Sequence, residues 1–152
     1  MPKAIISDTS CLILLTKIGE LDLLELLYGE VLTTTEVANE YGLPLPSWVK
    51  TQVPKDFVRV QILGSQIDIG EASAIALALE IPKSTVILDD WKARQMAERL
   101  NLEVTGTLGV IVKAKLTGKI SSIKPLLEKI KNTNFRLSAD LTLKALEAAG
   151  EL

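Results

Sequence analysis

The sequence predicts an α/β protein: a three-layer α/β/α sandwich around a parallel sheet of about five strands, with extra helices at the C-terminus. Three observations carry this. Apolar runs of only a few residues recur along the chain and read as strands buried on both faces. Longer Leu- and Ala-rich segments lie between them, and alternating strands and helices imply βαβ crossovers with helices on both faces of a parallel sheet. Two of the runs stop abruptly at carboxylates, Asp8 and the pair Asp89-Asp90. In such sheets ligands bind outside the carboxyl ends of the strands, which makes these acids site candidates.

In chain order, Ala4 to Ile6 forms the first strand and the Leu-rich segment after Ser10 the first helix, with Asp8 at the switch. Gly19 breaks the pattern, and Leu21, Leu23, Leu24, Leu26 and Leu27 form a second, short helix ending near Gly29. Glu30 to Thr33 is the second strand. Thr33-Thr34-Thr35-Glu36 has the Thr-x-x-Glu form of a capping box and opens a helix that ends at Gly42, with Val37 and Tyr41 facing inward. Leu43 to Ser47, with two prolines, reads as a loop leading to a short helix around Trp48 to Val53. Phe57 to Leu63 has β-branched residues at 58, 60 and 62 and reads as a third, edge strand. After a loop from Gly64 to Gly70, Glu71 to Ile81 is a helix dense in Ala and Leu, stopped by Pro82. Ser84 to Leu88 is a buried strand, Trp91 to Leu100 a helix, Leu102 to Thr105 the fifth strand and Val110 to Leu116 a helix. Two more helices, about 122–131 and 138–149, complete a single domain over 1–152, with a core of about 1–118 and a helical extension from 119.

Composition narrows the chemistry. The chain contains no histidine, which excludes His general bases, Ser/His triads and His-ligated zinc. Its single cysteine, Cys11, lies in an apolar helix, so neither a disulfide framework nor a Cys-rich zinc motif is available. With no apolar run near the length of a membrane span, the sequence predicts a soluble, cytoplasmic protein without membrane contact. The net charge of −2 hides a segregation: residues 1–91 carry six Lys/Arg against thirteen Asp/Glu, and residues 92–152 eleven against six. An acidic half suits metal ions and a basic half suits phosphates.

Four acidic positions converge in this topology. Asp8 and Asp89/Asp90 end two strands on one edge, and Glu40 and Glu71 lie on helices able to lean over it. Each has a plainer reading: Asp8, Asp90 or Ser10 as a helix cap, Glu71 as a first-turn acid favoured by the helix dipole, Glu40 as a solvated surface residue. Glu36 has a capping job of its own, which favours Glu40 as the functional glutamate of its helix. Carboxylates gathered without a cation raise one another's pKa values, and an oxygen-only cluster suits Mg²⁺ or Mn²⁺.

Together these segments resemble the PIN-domain nucleases, in particular the toxin-like subgroup of compact single-domain proteins. The resemblance rests on Ile6-Ser7-Asp8-Thr9-Ser10, Val37-x-x-Glu40, Gly70-Glu71-Ala72, Leu88-Asp89-Asp90-Trp91-Lys92-Ala93-Arg94 and Val104-Thr105-Gly106-Thr107-Leu108-Gly109, and covers about the first 118 residues well. It implies a PIN-like fold and a metal-dependent ribonuclease, often the toxin of a toxin–antitoxin pair with a small antitoxin protein as partner. Its catalytic acids would fall on Asp8, Glu40, Glu71 and Asp90, with Ser10 or Thr9 as the hydroxyl beside the first acid and Asp89 replacing or assisting Asp90. Asp8, Glu71, Asp89 and Asp90 would hold Mg²⁺ or Mn²⁺. Position 71 is glutamate where many members have aspartate.

Two rivals remain. A haloacid-dehalogenase-like phosphatase needs Asp-x-Asp after the first strand, and the second position after Asp8 is Ser10. A non-catalytic interaction module with the same fold is compatible with every motif. Three partner expectations complete the reading. The Leu12 to Leu27 helices carry surplus leucine, which predicts a homodimer. RNA is expected to cross the basic segment of Lys113, Lys115, Lys119, Lys124, Lys129, Lys131 and Arg136, where the only acid is Glu128. Trp91, beside the acid pair, is either core or a surface on which a base stacks.

Overall fold

Backbone pairing at the end of each short strand sets the architecture. The structure, a computed structural model, describes residues 4–152; residues 1–3 of the expected domain lie outside the described residues. Strand β1 (Ile5–Ser7) sits at the centre, with β2 (Val31–Thr33) and β3 (Val49–Thr51) on one side and β4 (Thr85–Ile87) and β5 (Glu103–Thr105) on the other, all parallel. In register, Ser7 lies opposite Ile87 and Ile87 opposite Thr105, so three strands end together. Asp8 donates its amide to the Ile87 carbonyl at 3.1 Å, and Leu88 donates to Thr105 at 2.9 Å, carrying the pairing to the site.

The two sheet faces are separated by the twofold alternation of side chains. Ile5, Val31 and Ile87 join helices α1 (Thr9–Lys17), α2 (Asp22–Tyr28), α3 (Thr35–Tyr41), α7 (Thr107–Leu116), α8 (Lys124–Lys131) and α9 (Ala139–Ala148) in one buried cluster. Ile6, Val86 and Leu88 join α5 (Ile69–Glu80) and α6 (Trp91–Arg99) in the other. The result is the expected three-layer α/β/α sandwich with a five-stranded parallel sheet and C-terminal helices. Among the described residues, no helix is long and apolar enough to cross a membrane.

Two expected elements exchange identity. Trp48 to Val53 is not a helix; it supplies edge strand β3. Its backbone completes the open side of β2, with Val31 donating to the Trp48 carbonyl at 3.0 Å and Gln52 to the Thr33 carbonyl at 2.9 Å. Conversely, Phe57 to Leu63 is not a strand but helix α4 (Phe57–Gly64). Asp56 caps it by accepting from the Arg59 amide at 3.0 Å, and the Glu80 carboxylate receives the amides of Lys55 and Asp56. Helical geometry buries Val60 at 3% exposure and leaves Val58 and Ile62 at 62% each, whereas a strand would have put all three on one face. Local β-propensity lost to the cap and to packing against α5.

The capping box is also displaced by one residue. Thr34, not Thr33, caps α3, accepting from Val37 at 3.2 Å, while the Thr33 hydroxyl donates to the Ser7 carbonyl. The structural job assigned to Glu36 is therefore not the one expected; one of its carboxylate oxygens is buried without a partner. The surplus leucine of α1 and α2 is likewise not surface. Leu12, Leu14, Leu15, Leu23 and Leu24 are core, because α8 and α9 cover the layer they form; Leu26 is the exposed one. The apolar surface on which the dimer expectation rested is thus taken up within the chain.

Candidate active site

Six carboxylates gather where β1 and β4 end, and all but Asp89 arrive through a helix start or a facing helix. Asp8 caps α1: one oxygen accepts from Cys11 N at 2.9 Å and the other from Asp89 N at 3.1 Å. It is 1% exposed. Burial pushes its carboxyl well above the usual range, and the Asp89 and Glu71 charges push the same way against the two amides. Capping and membership of the cluster are therefore not alternatives for this residue, since each oxygen has lone pairs for both.

Asp89 and Asp90, adjacent in sequence, do different work. Asp89 turns back to α7: one oxygen accepts from Thr107 N at 2.8 Å and the other from its hydroxyl. Burial raises its carboxyl, with Thr107 and then Arg94 opposing. Arg94 itself donates to the Leu88 carbonyl at 2.9 Å. A Cβ on Gly106 would stand 2.6 Å from the Arg94 guanidinium and 2.9 Å from Asp89, so any side chain at the centre of the Asp89–Arg94–Gly106–Thr107 latch would push these two groups off their partners. Asp90 caps α6, accepting from Ala93 N at 3.0 Å, and stays exposed at the cluster's rim.

Across from it, Glu71 occupies the first turn of α5, its carboxyl pushed up to about 7 by burial first, then by Asp90, Asp68 and Glu40. Asp68 is the member that sequence reasoning missed. It caps α5, which begins at Ile69 rather than Glu71, and accepts from Gly70 N at 3.2 Å. The signal was present in Asp68-Ile69-Gly70-Glu71, an acid at cap spacing from a first-turn glutamate. Glu40 lies against it: burial, the Asp68 charge and a hydrogen bond shared with Asp68 raise its carboxyl, against the Gly70 amide. A Cβ at Gly70 would overlap the Glu40 carboxylate, so glycine there makes room for it. Glu40, not Glu36, is thus the glutamate of α3 that reaches the cluster.

The hydroxyls separate as well. Thr9 lies against Glu40, its hydroxyl buried and opposing the rise of that carboxyl, with no other partner. Ser10 is exposed and lines a groove along α1 with Ile13, Lys17, Asn134 and Phe135, apart from the acids. The basic segment is divided, with Arg136 next in sequence to Phe135 of the Ser10 groove. Lys113 sits 4.8 Å above the Tyr28 ring, in a groove lined by Ile5, Thr85, Glu103 and Thr105, which runs along β5 from its first residue to its last. Lys115 pairs with Glu151, Lys129 with Glu20 and Lys131 with Glu128.

By donor type and charge the cluster fits a hard divalent cation. Its donors are oxygens alone, and none of Asp8, Glu40, Glu71 and Asp90 has a cationic side-chain partner among the described residues. As placed, no group of three His, Cys, Asp or Glu among the described residues is spaced to hold an ion, so the carboxylates would have to draw together around one.

Comparison with known proteins agrees with this geometry. Neither a curated protein nor a solved structure matches the chain. A family model described as PIN domain does match, over residues 4–151, which takes in the strands, all six carboxylates and the C-terminal helices. PIN domains are generally nucleases, that is, hydrolases, and typically use divalent metals. With its parallel sheet and its acids at the carboxyl edge, the chain belongs to the PIN-domain family.

Proposed function

We propose that this protein is an Mg²⁺- or Mn²⁺-dependent endoribonuclease that hydrolyses phosphodiester bonds of RNA, and that it serves as the toxin of a toxin–antitoxin pair. The observation that carries the nuclease reading is the uncompensated acidic cluster at the edge of β1 and β4, with Asp8, Glu40 and Glu71 all raised above ordinary carboxyl values. Folding has placed mutually repelling carboxylates together, which costs stability unless a cation joins them. The toxin role, and a small antitoxin as partner, rest on the motif resemblance alone.

Asp8, Glu71 and Asp90, with Asp68 and Glu40 alongside, would hold the metal. Bound there, the ion would lower the pKa of a water molecule and neutralise charge developing on the phosphate. The chain's own contribution is to position. The Cys11 and Asp89 amides fix Asp8, the α5 and α6 caps fix Asp68 and Asp90, and the Asp89 latch to Thr107 sets the end of β4 against α7. Without the ion the Glu71 carboxyl stands at about 7, so near neutral pH a cation binding there would displace a proton from it.

The test is cleavage of an unstructured RNA by wild type and Asp8→Asn, each with Mg²⁺, Mn²⁺ or EDTA. Wild type is expected to cut only with metal, and the variant to lose at least about 100-fold, the scale of one missing electrostatic element in an active site. Full activity in Asp8→Asn, or in EDTA, would overturn the reading. A wild type inert in every condition, with a melting temperature indifferent to both metals, would favour the non-catalytic interaction module.

A further inference from the structure

Trp91 is one of two tryptophans in the chain, and the two are treated differently by the fold. Trp48 packs against the main core, whereas Trp91 is 70% exposed. A single exposed apolar residue is ordinary in itself. This one occupies the first helical position of α6, directly after Asp90, on the rim of the acidic cluster. Its backbone is fixed: Asp90 accepts from Ala93 N, and Arg94 donates to the Asp90 carbonyl at 2.9 Å. The backbone of Trp91 is therefore held next to a proposed catalytic carboxylate, with its ring open to solvent.

A second observation concerns what this edge lacks. Without an ion the acids repel phosphate, and Lys115, Lys129 and Lys131 are already paired with Glu151, Glu20 and Glu128. Lys92, next to Trp91 in sequence, is an exposed cation. A nucleic acid held here gains from a source of affinity besides attraction of its phosphate to an ion, and base–aromatic stacking is such a source, open to any base whose face is free. On the other side of the cluster Ile69 stands in the matching position, first residue of α5 after the cap Asp68, and it too is exposed. Its tip lies against Gly64 at the end of α4, however, which leaves Trp91 as the apolar side chain of the rim.

We infer that Trp91 is a stacking platform for an unpaired nucleobase flanking the scissile phosphate, and that it selects single-stranded over duplex substrate. The inference rests on the nuclease reading for what is cut but not for what is bound. In a duplex both base faces are covered by neighbours, so the indole has nothing to stack on until a base is splayed out.

The experiment reads binding without cleavage. An unstructured ten-nucleotide RNA, and the same RNA annealed to its complement, are titrated in low salt with Ca²⁺ in place of Mg²⁺, following tryptophan fluorescence and the anisotropy of a labelled strand. The single strand is expected to quench wild-type fluorescence, and the quench to vanish in Trp91→Phe. Trp91→Ala and Trp91→Leu should each weaken binding about ten-fold, within the range for one lost stack, while Trp91→Phe stays within about three-fold of wild type. Circular dichroism should show all three variants folded, since the ring is mostly in water. With cleaved substrate, the loss in Trp91→Ala should fall on KM more than on kcat.

Equal binding by wild type, Trp91→Ala and Trp91→Leu, or equal quenching by duplex and single strand, overturns the inference. So does a Trp91→Leu that binds like wild type, which would make the residue an apolar contact, and so does a change confined to self-association or to a protein partner. The two readings fail separately. Metal-dependent cleavage with no effect of Trp91→Ala leaves the nuclease without the platform; quenched, selective binding with no cleavage by wild type leaves the platform without the nuclease.

Discussion

Two carboxylate-rich regions of this protein are built on opposite rules. At the C-terminus Glu151 is met by donors on every side: Ser122 and Ile123 N on its two oxygens and Lys115 at 3.2 Å. Those hydrogen bonds, the Ser122 hydroxyl first, pull its carboxyl down to about 2. The side chain is 9% exposed and ties the end of the chain to α7 and to the start of α8. At the edge of β1 and β4 the acids meet one another instead, and their carboxyls rise. The first region is what folding stability favours. The second makes folding harder, and such a cluster survives where it does something else.

The comparison is broken most strongly by Asp8→Asn, in which cleavage should collapse while stability hardly moves. Relief of repulsion is offset because asparagine keeps one of the two amide contacts and sets its own NH₂ against Asp89 N, a donor facing a donor. Melting with and without Mg²⁺ sharpens this: the ion should raise the wild-type Tm and shift the variant less.

Next in size is a pair of glycine substitutions. Gly106→Ala forces a Cβ into the Asp89–Arg94 latch and should cost about 1–3 kcal/mol in urea unfolding, the usual range for overpacking. Gly70→Ala meets the mobile end of Glu40 instead, which is exposed and can swing out. It should leave stability unchanged or raised by up to about 1 kcal/mol through helix propensity, while activity falls with the displaced glutamate. If both variants lose stability equally, the difference drawn between a structural latch and a functional pocket fails.

The pH dependence separates the regions by sign. Glu71 is raised from 4.5 to about 7, so the folded state holds its proton longer than the unfolded chain, and stability is lost as pH rises from about 4.5 to 7. With the residue half in water, the effect is of order 1 kcal/mol after allowing for screening. Metal-free Glu71→Gln should remove that slope. Glu151 is depressed, so its contribution is present above the unfolded value near 4.5 and is lost as pH falls toward 2. Glu151→Gln should lower Tm by a few degrees at neutral pH, the smallest of these effects, and blunt the acid transition.

The order of layers and four of the five strands were legible in the sequence because buried parallel strands leave an unambiguous record: Ile5-Ile6 and Val86-Ile87-Leu88 are apolar on both faces and stop at acids. So were Asp8, Glu40, Glu71 and the Asp89-Asp90 pair as candidates, since acids at strand ends and helix starts can be read from spacing alone. What the sequence by itself did not determine was anything decided by a partner far along the chain. Trp48 to Val53 became a strand because β2 had an unfilled edge, and Phe57 to Gly64 a helix because Glu80, sixteen or more residues later, holds the chain at its start. Asp68 joined the site because α5 begins two residues early and faces α3. Only the tertiary structure divided Asp89 from Asp90, giving one to Thr107 and the other to the rim, and only it put the leucines of α1 and α2 inside and Trp91 outside. Local sequence sets propensity and period; the choice among near-equal local states is made by contacts whose partners the local sequence does not contain.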